Sequence, residues 1–217
     1  MRPHLQLLFI PTLAVLLVAC ATSNNPLADM REITPTTIMD TLQTVVRENL
    51  PYSPEQIIRG KYMVALIGCA SCHTDGALSG NSNMQRHLAG SQTGIAYTNP
   101  MKQKNPGVVY PANLTPDPET GLGKWTDDAI IQMIRIGINP DGGHALSVMP
   151  WPAYAKISDD DMKSIVAYLR NLPPVQHKVP ENIRAGQKAT APFVHFGVYQ
   201  ITALEDEVED ILHVFIV

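Results

Sequence analysis

The chain has 217 residues, 45% of them hydrophobic and 17% charged, enough for one domain with a real core plus extensions and marginal for two. A formal net charge of −4 is too small and of the wrong sign to argue for nucleic acid or an anionic membrane surface. Eighteen prolines and fourteen glycines point to short elements joined by long loops.

Residues 1–19 read as a signal for export. Arg2 precedes an apolar run over residues 5–18 that is too short to span a bilayer and ends in Leu17-Val18-Ala19-Cys20. That ending resembles the lipobox of bacterial lipoproteins, in which the cysteine is acylated and becomes the mature N-terminus, so Cys20 is the candidate lipidation site. An ordinary secretory signal with an incidental cysteine is the alternative, and either reading takes the protein out of the cytoplasm. Residues 20–52 follow as a lipidated tether, rich in Asn, Thr, Ser and Pro to about Pro35. Ile38, Leu42, Val45 and Val46 recur at helical spacing and predict a short amphipathic helix over 37–50.

A domain over residues 53–174 is predicted next. Ser53-Pro54-Glu55-Gln56 has the form of a capping box with proline at the first helical position. Ile57, Ile58, Tyr62, Ala65 and Leu66 continue it as a helix, and Gly68 lies where it should end. Gly60 inside that helix costs about 1 kcal/mol relative to alanine, a cost that predicts another backbone crossing there. Residues 76–118 show no sustained period and read as loop with a turn or two of helix. A second helix is expected over 127–136, capped by Thr126 and ended by Gly137, then a loop containing Met149-Pro150-Trp151-Pro152. A last helix begins at Ser158, carries Met162, Ile165, Val166, Leu169 and Leu172, and stops at Pro173-Pro174. Residues 175–217 are an extension of unread role; its apolar end, residues 211–217, is too short to span a membrane and reads as an element docked on the domain.

Cys69-Ala70-Ser71-Cys72-His73 carries the strongest chemical signal. Residues at i, i+3 and i+4 of a helical turn share a face, so two thiols and an imidazole converge on one flat ligand. That geometry suits a porphyrin held by two thioethers with its iron on the imidazole, and the five-residue pattern is the haem-attachment signature. A thioredoxin-like pair would need a βαβ context, a zinc site would need further ligands at suitable spacing, and a disulfide across two residues would be strained. One covalent haem c is therefore expected, with Cys69 and Cys72 as thioether donors and His73 as proximal iron ligand.

An electron-carrying haem takes a sixth ligand, and a methionine thioether raises its reduction potential. Of nine methionines, Met133 and Met162 sit among aliphatics at helical spacing, where core filling is the default. Met149 is the candidate distal ligand, because Pro150 and Pro152 stiffen the loop that would aim its sulfur. Met84 and Met101, in the middle loop, stay open as alternatives, with His144 as the runner-up.

On these segments residues 53–174 resemble a class I cytochrome c, and more narrowly the cytochrome c domains associated with membrane-bound periplasmic dehydrogenases of alcohols, sugars and sugar acids. The matching segments are Arg59-Gly60-Lys61-Tyr62, the haem motif, Asn113-Leu114-Thr115-Pro116-Asp117, Gly121-Leu122-Gly123, Trp125-Thr126-Asp127, Met149-Pro150-Trp151-Pro152-Ala153-Tyr154 and Ile165-Val166-Ala167-Tyr168-Leu169. The resemblance implies an all-α cytochrome c fold of short helices and long loops around one haem, with Gly60 close to Tyr168. It also implies Met149 as distal ligand and residues 113–125 along the haem edge. Trp125, Trp151 and Tyr154 are expected to pack against the porphyrin.

No acid–base pair, nucleophile arrangement or phosphate loop is present, so the chain reads as an electron carrier and not as an enzyme. It is expected on the periplasmic side of a bacterial membrane, anchored by lipid or alternatively soluble there, passing electrons from a periplasmic dehydrogenase to an oxidase or carrier. Two other readings remain: a haem subunit of a catalytic complex (peroxidase or substrate-oxidising), and a haem-based sensor.

Overall fold

A computed structural model describes residues 30–31, 45–100, 102–143, 145–146 and 148–196. The chain divides into two units, Met1–Glu32 and Ile33–Val217. Of the first, only Met30 and Arg31 are described, neither in a regular element; everything below concerns the second. The expected signal at 1–19, Cys20, Met101, His144 and residues 197–217 lie outside the described residues.

Helix α1, Pro54–Leu66, begins as its sequence requires: the Ser53 hydroxyl accepts from Gln56 N–H at 3.2 Å, and the Gln56 side chain accepts from Ser53 N–H at 3.0 Å. It ends at Gly68, whose φ of +73° reverses the chain as a residue with a Cβ rarely can. Directly after it comes the single turn α2, Cys69–His73. Helix α3, Asp127–Ile136, is capped by Thr126 and closed by Gly137 at φ +68°. Four residues, Trp151–Tyr154, make α4, and α5, Asp159–Asn171, is capped by Ser158.

The core forms where α1 crosses α5. Gly60 is buried, and a Cβ added to it would lie 1.8 Å from the carbonyl oxygen of Ser164 and 2.8 Å from Cβ of Tyr168. Backbone therefore meets backbone, and the face of α1 centred on Gly60 turns inward with Ile57, Met63 and Val64. Ile58, Tyr62 and Leu66, part of the apolar series that marked the helix in the sequence, face solvent. The reason is steric: only the glycine face lets the two axes approach closely enough to bury Met162, Ile165, Val166 and Leu169 of α5.

The predicted helix over 37–50 does not extend through its described part. Residues 45–50 are irregular, with Asn49 at φ 68°. Their backbone groups are taken by the end of α5: Arg47 N–H donates to Asn171 Oδ1 at 2.8 Å, and Asn171 Nδ2 donates to the Val45 carbonyl at 2.9 Å. A helix would need those groups for its own ladder.

The middle region holds two 3₁₀ turns, Ala77–Ser79 and Met84–Arg86, and two short strands, β1 at Gly94–Ala96 and β2 at Val108–Val109. A third strand, β3 at Phe193–Val194, comes from the extension and pairs parallel to β1, while β2 pairs antiparallel to it, giving the order β2-β1-β3. The architecture is mostly helical, with this small sheet added at one side of the loops. Residues 175–196 run back along the domain as a strap. His177 is buried, its Nδ1 lies 2.8 Å from the Ala89 carbonyl, and Tyr110 N–H donates to Asn182 Oδ1 at 2.8 Å.

Alanine at Gly60 gains helix propensity but meets a carbonyl it cannot displace. Gly60→Ala should therefore destabilise the fold by about 2 kcal/mol or more, seen as a lower thermal midpoint; an unchanged or higher midpoint would contradict the backbone crossing.

Candidate haem site

Because Gly68 ends α1 in the left-handed region, the next five residues start a fresh turn whose Cys69, Cys72 and His73 stand at i, i+3 and i+4. Ser71 N–H returns to the Gly68 carbonyl at 3.1 Å and Thr74 N–H to Ala70 at 3.2 Å, which closes the turn from both ends. Cys69 and Cys72 are both free and half-buried. Burial pushes the Cys69 thiol up to about 12, with the Cys72 sulfur adding to the effect, and burial pushes Cys72 up as well. Neutral thiols are the opposite of the acidified thiolates that redox-active or metal-binding cysteine pairs require. Among the described residues, no group of three His, Cys, Asp or Glu gathers as a metal-binding cluster.

His73 is oriented by the main chain. Its Nδ1 lies 2.7 Å from the carbonyl oxygen of Ala112, so Nδ1 carries the proton and the lone pair of Nε2 is left for a ligand. Burial lowers its pKa, against the upward pull of the Ala112 carbonyl, and the neutral ring is the form that binds iron. The peptide of His73 is held too: its carbonyl accepts from Gly90 N–H at 2.8 Å. The next residue, Thr74, is buried and accepts from Leu88 N–H at 3.2 Å.

Helix α4 approaches the same turn. The buried Tyr154 donates its hydroxyl to the Ile67 carbonyl at 3.2 Å, two residues before Cys69. Its pKa rises to about 12, chiefly through burial and then through the neighbouring Cys69 and Cys72 sulfurs. Met149 sits at the entrance to α4, half-buried, its carbonyl accepting from Trp151 N–H at 2.9 Å. The Trp151 indole donates to the Met133 carbonyl at 3.1 Å and lies over Gly137, where an added Cβ would be 2.7 Å from the ring. Trp151 therefore anchors the methionine loop to the end of α3, and its first contact is protein backbone. Met162 is buried in the core, as expected, and so is Met63, whereas Met133, also expected there, is only half-buried on α3 and outside the core cluster; Met84 lies half-buried in the second 3₁₀ turn.

The polar segment 113–123 is a closed loop built by its own side chains. Asn113, only 2% exposed, accepts from Thr115 N–H and hydroxyl at 2.9 and 2.7 Å and donates to Thr120 Oγ1 at 3.0 Å and the Val175 carbonyl at 2.8 Å. Asp117 accepts from the Thr120 hydroxyl at 2.8 Å, from Thr120 N–H at 2.7 Å and from Glu119 N–H at 3.1 Å. The loop is tied to α5 by Arg170, which reaches the carbonyls of Leu122 and Trp125 and the carboxylate of Asp127. Ala112 and Arg170 escaped the sequence reading, and Asn113, expected along the haem edge by resemblance, was not read as the residue that closes the loop. A backbone carbonyl leaves no signature in residue types, and Arg170 looks like an ordinary basic residue near a helix C-terminus.

The donor set fits a covalent porphyrin: two unpaired neutral thiols and one neutral imidazole with Nε2 to spare, on one helical turn. That site, held by crossed helices at the two ends of the domain, defines a c-type cytochrome domain. Residues 57–173 match the cytochrome c family model, and the chain belongs to that family, whose cofactor is a covalent haem c. Curated relatives include one of the subunits of nicotinate dehydrogenase from Pseudomonas putida, 34% identical over 60% of this chain and 10% of that protein. The cytochrome c subunit of a quinone alcohol dehydrogenase of Gluconobacter oxydans is 35% identical over 58% of this chain and 24% of its own length. The cytochrome subunit of fructose dehydrogenase of Gluconobacter japonicus is 33% identical over 68% and 27%. The chain thus spans between a tenth and about a quarter of these relatives. Among the described residues, no helix is long and apolar enough to cross a membrane.

The Asp117 carboxyl is held below the usual carboxylate range, foremost by the Thr120 hydroxyl, with the two N–H donors helping and burial opposing. A depressed folded-state pKa contributes stability above the ordinary value of about 4, and that contribution is lost as pH falls through the lower folded value. Thermal midpoints from pH 7 down to pH 3 should fall less steeply for Asp117→Asn than for the parent, from a lower starting point at pH 7. Parallel curves would remove Asp117 from the acid response.

Proposed function

We propose that this protein is a monohaem electron carrier that accepts electrons from a periplasmic dehydrogenase and passes them to an oxidase or a soluble carrier. Cys69 and Cys72 hold the haem through thioethers, His73 is the proximal iron ligand and Met149 the distal one. The observation that carries this reading is the α2 turn, with both thiols neutral and unpaired and the His73 ring aligned by the Ala112 carbonyl. When bound, the haem iron supplies a one-electron couple. The chain does the rest: it bonds the group so that it cannot dissociate, sets the imidazole, and excludes water from one side with the α1–α5 core. A stiff loop before α4 suits Met149 for the distal role, because few conformations remain to be lost on ligation.

A dehydrogenase partner is supported by the relatives, whose names place them as cytochrome subunits of alcohol and fructose dehydrogenases. Anchoring rests on the sequence around Cys20, where a lipid would hold the domain at the outer face of a bacterial membrane behind the tether.

Two measurements test this. The exported wild type should give a pyridine haemochrome of one haem c per chain that survives acid–organic extraction, whereas the Cys69→Ala/Cys72→Ala variant should lose its haem on extraction; a colourless wild type from cells with working cytochrome maturation ends the proposal. Met149→Ala should abolish the weak sulfur-to-iron band of the ferric protein, lower the potential and let the ferrous protein bind carbon monoxide quickly. A band that survives unchanged removes Met149 from the iron, and fast carbon monoxide binding by the wild type would favour the catalytic or sensor readings.

A further inference from the structure

The carbonyl that orients His73 belongs to a peptide whose other half is Asn113. A peptide unit is planar and stiff, so the Ala112 oxygen cannot swing without rotating the Asn113 nitrogen. The Asn113 side chain, buried and with both ends of its amide engaged, opposes that rotation. Two of its three donor contacts leave the loop altogether and end on the strap, at the Val175 carbonyl at 2.8 Å and, longer, at the His177 carbonyl at 3.5 Å. The strap is gripped in return: Val175 N–H donates to Thr115 Oγ1 at 3.2 Å and His177 N–H to Thr120 Oγ1 at 2.9 Å. On the far side of the peptide, Gly90 packs against Asn113 N, the Pro111 carbonyl and Val179 of the strap so closely that a Cβ would lie within 2.9 Å of each.

We infer that Asn113 is a positioning residue for His73, and that the strap beginning at Val175 tunes the haem iron through it. The inference rests on His73 being the proximal ligand. A firm Nδ1–H···O=C bond makes the ring more basic at Nε2 and so favours ferric iron. Slackening the peptide weakens that bond and favours ferrous iron, raising the potential. Asn113 touches no iron ligand itself; it acts through the peptide it shares with Ala112.

The test uses full-length, exported holoprotein with Asn113→Ala, and Thr120→Val as a second variant that keeps Asn113 but removes the hydroxyl its amide and the strap share. Redox titration should show Asn113→Ala shifted upward by up to about tenfold in the one-electron reduction equilibrium, which is about 59 mV. In the ferrous protein the His73 Nδ1–H proton should exchange faster with heavy water by NMR. Thr120→Val should move both readouts the same way by less, and it decides the matter alone if Asn113→Ala yields no folded holoprotein. A lower melting point with potential and exchange unmoved would make Asn113 a simple loop closure and overturn the inference. A wild-type ferrous spectrum with no ring signal from an iron-bound His73 would instead overturn the proximal assignment, and this inference with it.

Discussion

Where α1 meets α5, the Ser164 carbonyl occupies the volume that any side chain at position 60 would need. This contact sets the register of the two helices, and everything in the site is placed relative to it. With Gly60 against Ser164, Ile57 and Val64 fall on the buried face, and the chain reaches Gly68 with the next turn starting beside Tyr154. Two thiols and an imidazole need no element longer than a turn, provided something rigid delivers that turn to its place. A glycine at the crossing and a second one at the bend perform the delivery, the first by lacking bulk and the second by tolerating positive φ.

Much of the rest of the domain lacks regular secondary structure, and its polar side chains take over the work of a hydrogen-bond ladder. Asn113, Thr115, Asp117 and Thr120 satisfy one another and the surrounding N–H groups, so the loop keeps its buried backbone paired without helix or strand. Arg170 gathers the carbonyls of Leu122 and Trp125 onto α5. Asp127, which it also pairs, accepts from the Tyr52 hydroxyl at 2.6 Å. Such satisfied networks are stiff, because losing one bond strands several buried groups at once. Stiffness of this kind suits a redox centre whose ligand orientation has to stay the same in both oxidation states.

The strap has the same character. Between Val175 and Val194 it contributes a carbonyl to Asn113, a buried histidine to the loop around Ala89, and a strand to the sheet. Arg86 and Asp75 pair at 2.7 Å, and the Arg86 guanidinium lies 3.2 Å from His177 Nε2, so the chain just past the haem motif is fastened to a residue about a hundred positions later. The extension up to residue 196 therefore shares the hydrogen bonding of the site.

Read alone, the order of residues determined the local events: the capping box at Ser53, the stop at Gly68, the caps of α3 and α5, the haem-attachment turn, and that Gly60 needed a close neighbour. Each depends on contacts a few residues apart, where residue type and spacing dictate the geometry. Folding decided what depends on distant partners. Which apolar face of α1 turned inward followed from the crossing, and so Ile58, Tyr62 and Leu66 stayed outside. Residues 45–50 gave up helix because Asn171 claimed their backbone groups. The acceptor for His73 proved to be a main-chain carbonyl, and β1 found a partner almost a hundred residues away. Carbonyls look alike at every position of a sequence, and the free energy of long-range pairing is realised only when the whole chain closes around them.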